Sequence, residues 1–156
     1  METLKWVYKI LQFAPGIGGT LFPITFVIMN ILIRLPNWLG DMVMSSAFVR
    51  AVQKQFPGSS IGVIAKKGID ALLDLFPPHE ERYIFSKAEY TRLAGSWKLG
   101  KKIARKKKYD LYFSLPDSFS SAVMVYATGA KKRVGYRKEG RNIFLTSSYL
   151  KNKNLH

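Results

Sequence analysis

The residue with the clearest chemical potential is Asp41. It closes the turn of Ile31 to Asp41, ILIRLPNWLGD. A short apolar run, Ile31 to Leu35, reads as a buried strand. Pro36, Asn37 and Gly40 supply a turn, and a Met-, Ala- and Phe-rich helical pattern continues to about Phe56. Strand, tight loop and helix N-terminus is how α/β proteins bring chemical groups to the carboxyl edge of a parallel sheet. A carboxylate at that point can cap the helix by accepting first-turn N–H groups. It can also act as a general base that takes a proton from an attacking hydroxyl. The two readings are compatible, because a capped carboxylate is also held in place.

A second turn of the same kind, Pro116-Asp117-Ser118, leads into a helix from Phe119 to Ala127. Ser118 reads as another helix cap. Ser118, Ser120 or Ser121 would serve as a nucleophile only beside a histidine base. The sole internal histidine, His79, follows Pro77-Pro78 in an unrelated loop, so serine hydrolase chemistry is excluded. Cysteine is absent, which removes disulfides, thiol catalysis and thiolate metal sites. Two histidines, His79 and His156, are too few and too far apart to suggest a metal site. The segment Pro15 to Thr20, PGIGGT, looks superficially like a phosphate loop. Pro23 follows it too closely for the helix that such a loop requires, so it reads as a plain turn.

The elements that must position these residues alternate. After the helix from Asp41, Pro57-Gly58-Ser59-Ser60 makes a turn, and Ile61 to Ala65 reads as a second strand. Ile69 to Phe76 reads as a short helix and Arg82 to Phe85 as a third strand. Ala88 to Lys108 forms a long helix, followed by strands at Leu111 to Leu115 and Lys132 to Tyr136. Met44, Phe48, Ala51, Val52 and Phe56 recur at near-helical spacing, an apolar stripe that packs on a sheet. Strand and helix alternating about five times predict an α/β domain with a doubly wound parallel sheet and right-handed crossovers. A chain of 156 residues that is 47% hydrophobic has enough apolar material for one core. After Lys132 to Tyr136 only a short apolar piece, Ile143 to Thr146, and a polar tail remain, with no obvious final element.

Charge points to an anionic partner. There are 25 Lys and Arg against 10 Asp and Glu, a formal +15 with a pI near 10.1. Seven of the basic residues lie in 98–108 and six in 131–141, which predicts a patch on one side of the domain. No nucleic-acid-binding motif accompanies them, and the aromatic residues are scattered through strands and helix cores. An anionic membrane surface or glycolipid fits the charge at least as well as nucleic acid does. Residues 1–28 stand apart. Ile10 to Ile33 contains no charge, yet prolines and glycines break its middle. Met29 opens a natural α/β start, so 1–28 reads first as an apolar N-terminal extension. A weakly membrane-associating segment ranks second and a cleaved signal third.

Four blocks in order carry a family resemblance: RLPNWLGDMVMS, QFPGSSIGVIA, KKYDLYFSLPDSFSSA and GAKKRVGYRKEGRNIFL. Together they resemble the N-terminal half of glycosyltransferase family 9, on its heptosyltransferase side, from about Met29 onward. The resemblance implies a Rossmann-like acceptor-side domain over 29–156, one of the two that face a cleft in a GT-B enzyme. It implies inverting transfer of heptose from ADP-heptose to the lipopolysaccharide inner core, with no cofactor and no metal. By the same resemblance Asp41 is the general base, and Asn37, Trp38, Gly40, Ser118 and Arg141 contact the acceptor, with Lys66 and Lys67 as further candidates. Arg141 would pair an acceptor phosphate or carboxylate with its planar fork. Asp117 stands where the family often has Asn. The family's chains are about twice as long, so the resemblance places the nucleotide-sugar domain outside this chain. It makes the chain inactive alone, as a fragment, a truncated product or a split half, with ADP-heptose held only once a C-terminal half is present. The alternative is a non-catalytic basic module for anionic glycolipid, membrane surface or nucleic acid, of which nucleic acid is the least favoured. The expected location is cytoplasmic, with peripheral contact at the inner face of the membrane. If residues 1–28 are an extension rather than an anchor, chains begun at Met1 and at Met29 should partition alike between soluble and membrane fractions.

Overall fold

Ile31, Leu32 and Ile33 are all fully buried, on both faces of their strand, which is the signature of a central strand in a parallel sheet. The computed structural model describes residues 28–150 apart from 87, 89, 91 and 139. Its strands are β1 (Asn30–Arg34), β2 (Ser60–Lys66), β3 (Glu81–Phe85), β4 (Leu111–Ser114), β5 (Lys132–Arg137) and β6 (Ser147–Leu150). They form one sheet in the order β3-β2-β1-β4-β5-β6, with every pairing parallel. The helices are α1 (Leu39–Gln55), α2 (Arg92–Lys106) and α3 (Phe119–Ala127). The expected parallel α/β sheet is therefore present, in the Rossmann-like strand order.

Alternation along β1 divides the core in two. Ile31, Ile33 and Leu35 pack with Ile61, Val63 and Phe113 under Met42, Phe48, Val49 and Val52 of α1. Phe48 meets Phe113 edge-on, with ring centroids 5.2 Å apart. Leu32 and Ile64 face the other way, against Leu99 and Ile103 of α2 and Met124 and Val125 of α3. Of the expected stripe, Phe48 and Val52 are buried, whereas Met44 is exposed.

Three further expectations are corrected. The 69–76 helix is a tighter 3₁₀ turn, Asp70–Leu75, and the long helix begins at Arg92 rather than Ala88. A sixth strand follows a 3₁₀ turn at Arg141–Phe144, where no final element was expected. That turn starts from Gly140 at φ +71°, a left-handed conformation that glycine adopts without steric cost. The long apolar N-terminal segment, residues 1–27, lies outside the described residues, and so does the tail after Leu150. Among the described residues no helix is long and apolar enough to cross a membrane.

Helices α2 and α3 touch at Gly100. A Cβ there would stand 2.6 Å from the Cβ of Ala127 and 2.6 Å from the carbonyl oxygen of Met124. The backbone approach leaves no room for a methyl group. Gly100→Ala should therefore destabilise the fold by about 1–3 kcal/mol through overpacking. The check is a urea unfolding midpoint that falls at unchanged slope.

Candidate active site at the carboxyl edge

Because all strands run parallel, β1, β2, β4 and β5 each deliver their following loop to one edge. Strand order reverses direction between β1 and β4, and ligands of doubly wound sheets bind at such a switch point. The loops that meet there are Leu35 to Trp38 and Leu115 to Ser118. A pocket of about 520 Å³ opens beside them, walled by Arg34, Asn37, Phe85, Arg92, Ser96, Ser118, Ser120, Ser121 and Met124 among others. The fold thus brings Asn37 and Ser118 together. Ser118 is the N-cap of α3, its Oγ accepting the Ser121 N–H at 3.3 Å.

Asp41 adjoins this pocket along the chain but does not cap α1. The cap position is Trp38, without a side-chain hydrogen bond, and Asp41 sits exposed in the first turn. This corrects the capping expectation. Seven carboxylates lie among the described residues, and six are engaged. Asp70 accepts the Gly68 N–H. Asp74, Glu80, Glu81, Asp110 and Asp117 pair with Arg82, Lys107, Lys106, Lys131 and Lys138. Asp41 alone has no hydrogen-bond or ion-pair partner among those residues.

The other expected residues are dispersed around the edge. Trp38 is 78% exposed. Gly40 has open space around it. Lys66 ends β2 half-buried, and Lys67 is exposed, its N–H bonded to Phe85 O at 2.9 Å. Arg141, expected at the cleft wall, is 0% exposed and does not line the pocket. It donates from Nη1 to Pro116 O at 2.8 Å and from Nη2 to Ser114 Oγ at 3.1 Å. Burial lowers its pKa, with Asp117 pushing back. Gly135, lacking a side chain, makes room for the guanidinium, whose Nη2 would lie 3.3 Å from a Cβ there. Arg141 holds the Ser118 loop from within.

Arg34 is the residue that sequence reasoning missed. It is 3% exposed at the end of β1 and lies on the α2 and α3 side. Its Nη1 donates to Leu35 O at 2.6 Å and Ile64 O at 3.3 Å, and its Nη2 donates to Asn37 Oδ1 at 2.6 Å. Its guanidinium lies 4.1 Å from the Phe85 ring centroid. Burial draws its pKa down to about 10, against a smaller opposing effect of Tyr112. Tyr112, also buried, has its pKa pushed up by that burial. An arginine ending an apolar run, ILIR, was the available signal, since a charge in a buried strand needs a reason. Nothing in the local sequence marks Arg92.

Six residues of the two basic runs are divided among different surroundings. Lys106, Lys107 and Lys131 pair with acids at the amino edge. Arg133 turns inward to Phe144 O and Ala130 O. Lys138 lies at the carboxyl edge and Arg141 inside the core.

Fold and edge together define a Rossmann-like domain of the kind from which GT-B glycosyltransferases are built. The family model for glycosyltransferase family 9 (heptosyltransferase) matches residues 96–156. Lipopolysaccharide heptosyltransferase 2 of Escherichia coli K12 is 35% identical over 114 residues, covering 72% of this chain and 32% of its own length. Lipooligosaccharide heptosyltransferase 2 of Haemophilus ducreyi is 33% identical over 118 residues, 75% of this chain and 33% of its own. The structure of E. coli ADP-heptose LPS heptosyltransferase II aligns with a TM-score of 0.70 at 32% identity, over 80% of this chain and 36% of that one. A family 9 glycosyltransferase structure from Veillonella parvula shares the fold, with a TM-score of 0.72 at 17% identity, over 83% of this chain and 38% of that one. The chain thus resembles glycosyltransferase family 9 through its family model over residues 96–156 and heptosyltransferases over about three quarters of its length. It spans about a third of the length of the curated relatives it matches.

If Arg141 is a tie within the fold, Arg141→Ala should cost about 1–3 kcal/mol of stability, since it strips donors from buried acceptors. Urea unfolding measures this. Unchanged stability would return Arg141 to the list of ligand contacts.

Proposed function

We propose that residues 29–156 form the acceptor side of a heptosyltransferase, with Asp41 as general base. The observation that carries this reading is that Asp41 is the one unengaged carboxylate among the described residues, in the first turn of the helix that follows β1 at the carboxyl edge. The acceptor is the lipopolysaccharide inner core and the donor is ADP-heptose, as the names of the relatives suggest. The acceptor sugar lies along the loop of Asn37, Trp38 and Gly40, with Ser118 on the facing loop. Asp41 takes the proton of the acceptor hydroxyl as its oxygen attacks the anomeric carbon from the face opposite the leaving ADP. The C1–O bond to ADP breaks as the new glycosidic bond forms, and the configuration inverts. Lys66 and Lys67, one strand away, are suited to anionic groups further along the acceptor.

In this reading the donor site lies outside the third of the relatives that these residues match. Work at the carboxyl edge would be done at the inner face of the cytoplasmic membrane, with peripheral contact through basic side chains. The division of the basic runs between edges, interior and ion pairs weighs against a non-catalytic module built on one patch.

The test has two parts. The chain should bind heptose-bearing inner core well above unrelated duplex DNA. Equal, salt-sensitive binding to both would make it a basic binding module instead. Grafted in place of the matching third of the E. coli enzyme, it should support heptose transfer from ADP-heptose. Asp41→Asn in that protein should lower kcat by about a hundredfold or more, and a kcat near that of the parent would end the base assignment.

A further inference from the structure

We propose that the pocket between the Asn37 and Ser118 loops is an oxyanion site, built to hold a phosphate or carboxylate group of the acceptor on Arg34 and Arg92. The proposal rests on the acceptor-side reading and gives that site a charge requirement. Four observations carry it.

Among the described residues Arg34 is a buried cation without a counter-ion. Its guanidinium donates to two carbonyls and one amide oxygen, all neutral. Its Nε is buried and has no hydrogen-bond partner among the described residues. Burying a charge with neither an opposite charge nor a full set of hydrogen bonds is unfavourable unless something completes the set.

Among the described residues the pocket is lined by no acid. Its lining holds two guanidinium groups, Arg34 and Arg92, the amide of Asn37 and the hydroxyls of Ser96, Ser118, Ser120 and Ser121. Every one of these can donate to an oxyanion. Asp117, the nearest acid in sequence to Ser118, is drawn to Lys138 instead.

The pocket floor is the start of α3, a helix of 9 residues capped by Ser118. The first-turn N–H groups of a helix have no intrahelical acceptors and favour an anion. This adds to the two arginines and is not the basis of the site.

Neither Arg34 nor Arg92 sits among the residues whose roles follow from the family resemblance. Arg141, the residue expected to take the anion, is committed inside the fold to Pro116 O and Ser114 Oγ. The geometry moves anion recognition from Arg141 to the opposite side of the Ser118 loop. A bidentate guanidinium suits both phosphate and carboxylate, so the two sources are separated by experiment.

The full chain, labelled for NMR, is titrated with inorganic phosphate, glucuronate and glucose. The expected result is saturable shifts of the Phe119 and Ser120 amides and of the Arg34 and Arg92 Nε–H resonances with phosphate, glucuronate or both, and none with glucose. Phosphate alone would identify a phosphorylated acceptor group, and glucuronate alone a carboxylated one. Arg92→Ala, at an exposed position that leaves the core intact, should weaken binding at least threefold, and Arg34→Met at least tenfold. Lys98→Ala, on the outer face of α2, should leave it unchanged. If Arg34→Met fails to fold, Arg92→Ala with the resonance map decides. Equal shifts with glucose, shifts spread over surface lysines, or undiminished binding by Arg92→Ala would overturn the proposal. Since no catalytic step enters this titration, its failure leaves the base assignment of Asp41 standing, and failure of that assignment leaves the pocket standing.

Discussion

The structure depends on one constraint: a parallel sheet buried on both faces. Such a sheet cannot close its strands with hairpins, so every return crosses a face and every strand points the same way. β1 is the centre of this arrangement, paired with β2 on one side and β4 on the other. Its side chains alternate between the α1 face and the α2–α3 face, and its end supplies both Arg34 and the turn before Asp41. The edge where groups accumulate is a geometric result of the pairing.

Within that edge, polar contacts sort the residues into those held and those left available. Arg141 is spent on Pro116 and Ser114, whereas Arg34 holds Leu35, Ile64 and Asn37 through Nη1 and Nη2 and still lines the pocket with its Nε unpartnered among the described residues. Through these bonds the two buried guanidinium groups fix the loops that carry Asn37 and Ser118. Asp41 is left without a partner among the described residues. The other carboxylates among the described residues are matched to lysine, arginine or a backbone N–H. The contrast between committed and uncommitted polar groups is what separates scaffold from candidate reagent here.

Legibility in the sequence followed the range of the interactions. β1 was readable because Ile31 to Ile33 is a continuous apolar run, and Ser118 because a cap acts within three residues. β6 was not, because Ser147 to Leu150 has no apolar alternation and is defined by its pairing with β5. The 3₁₀ form of Asp70–Leu75 hinges on hydrogen-bond spacing that composition does not reveal. Arg141 looked like a surface cation because nothing near it in sequence announces that Gly135 leaves space for its guanidinium. Arg34 stood in plain view in ILIR, yet its surroundings come from Ile64 and Phe85, thirty and fifty residues away.

The missing methyl at Gly100 has a consequence at a distance. The same contact that lets α2 lie on α3 also sets how far apart their first turns stand, and those turns carry Arg92 and Ser118. Met124, whose carbonyl meets Gly100, is itself a wall of the pocket. The spacing of the two helices behind that wall is thus set by close contact at Gly100 rather than by side chains that must settle around a guest. A cavity shaped in advance asks little ordering of the protein when it fills, so more of the interaction is retained as affinity and selectivity follows shape.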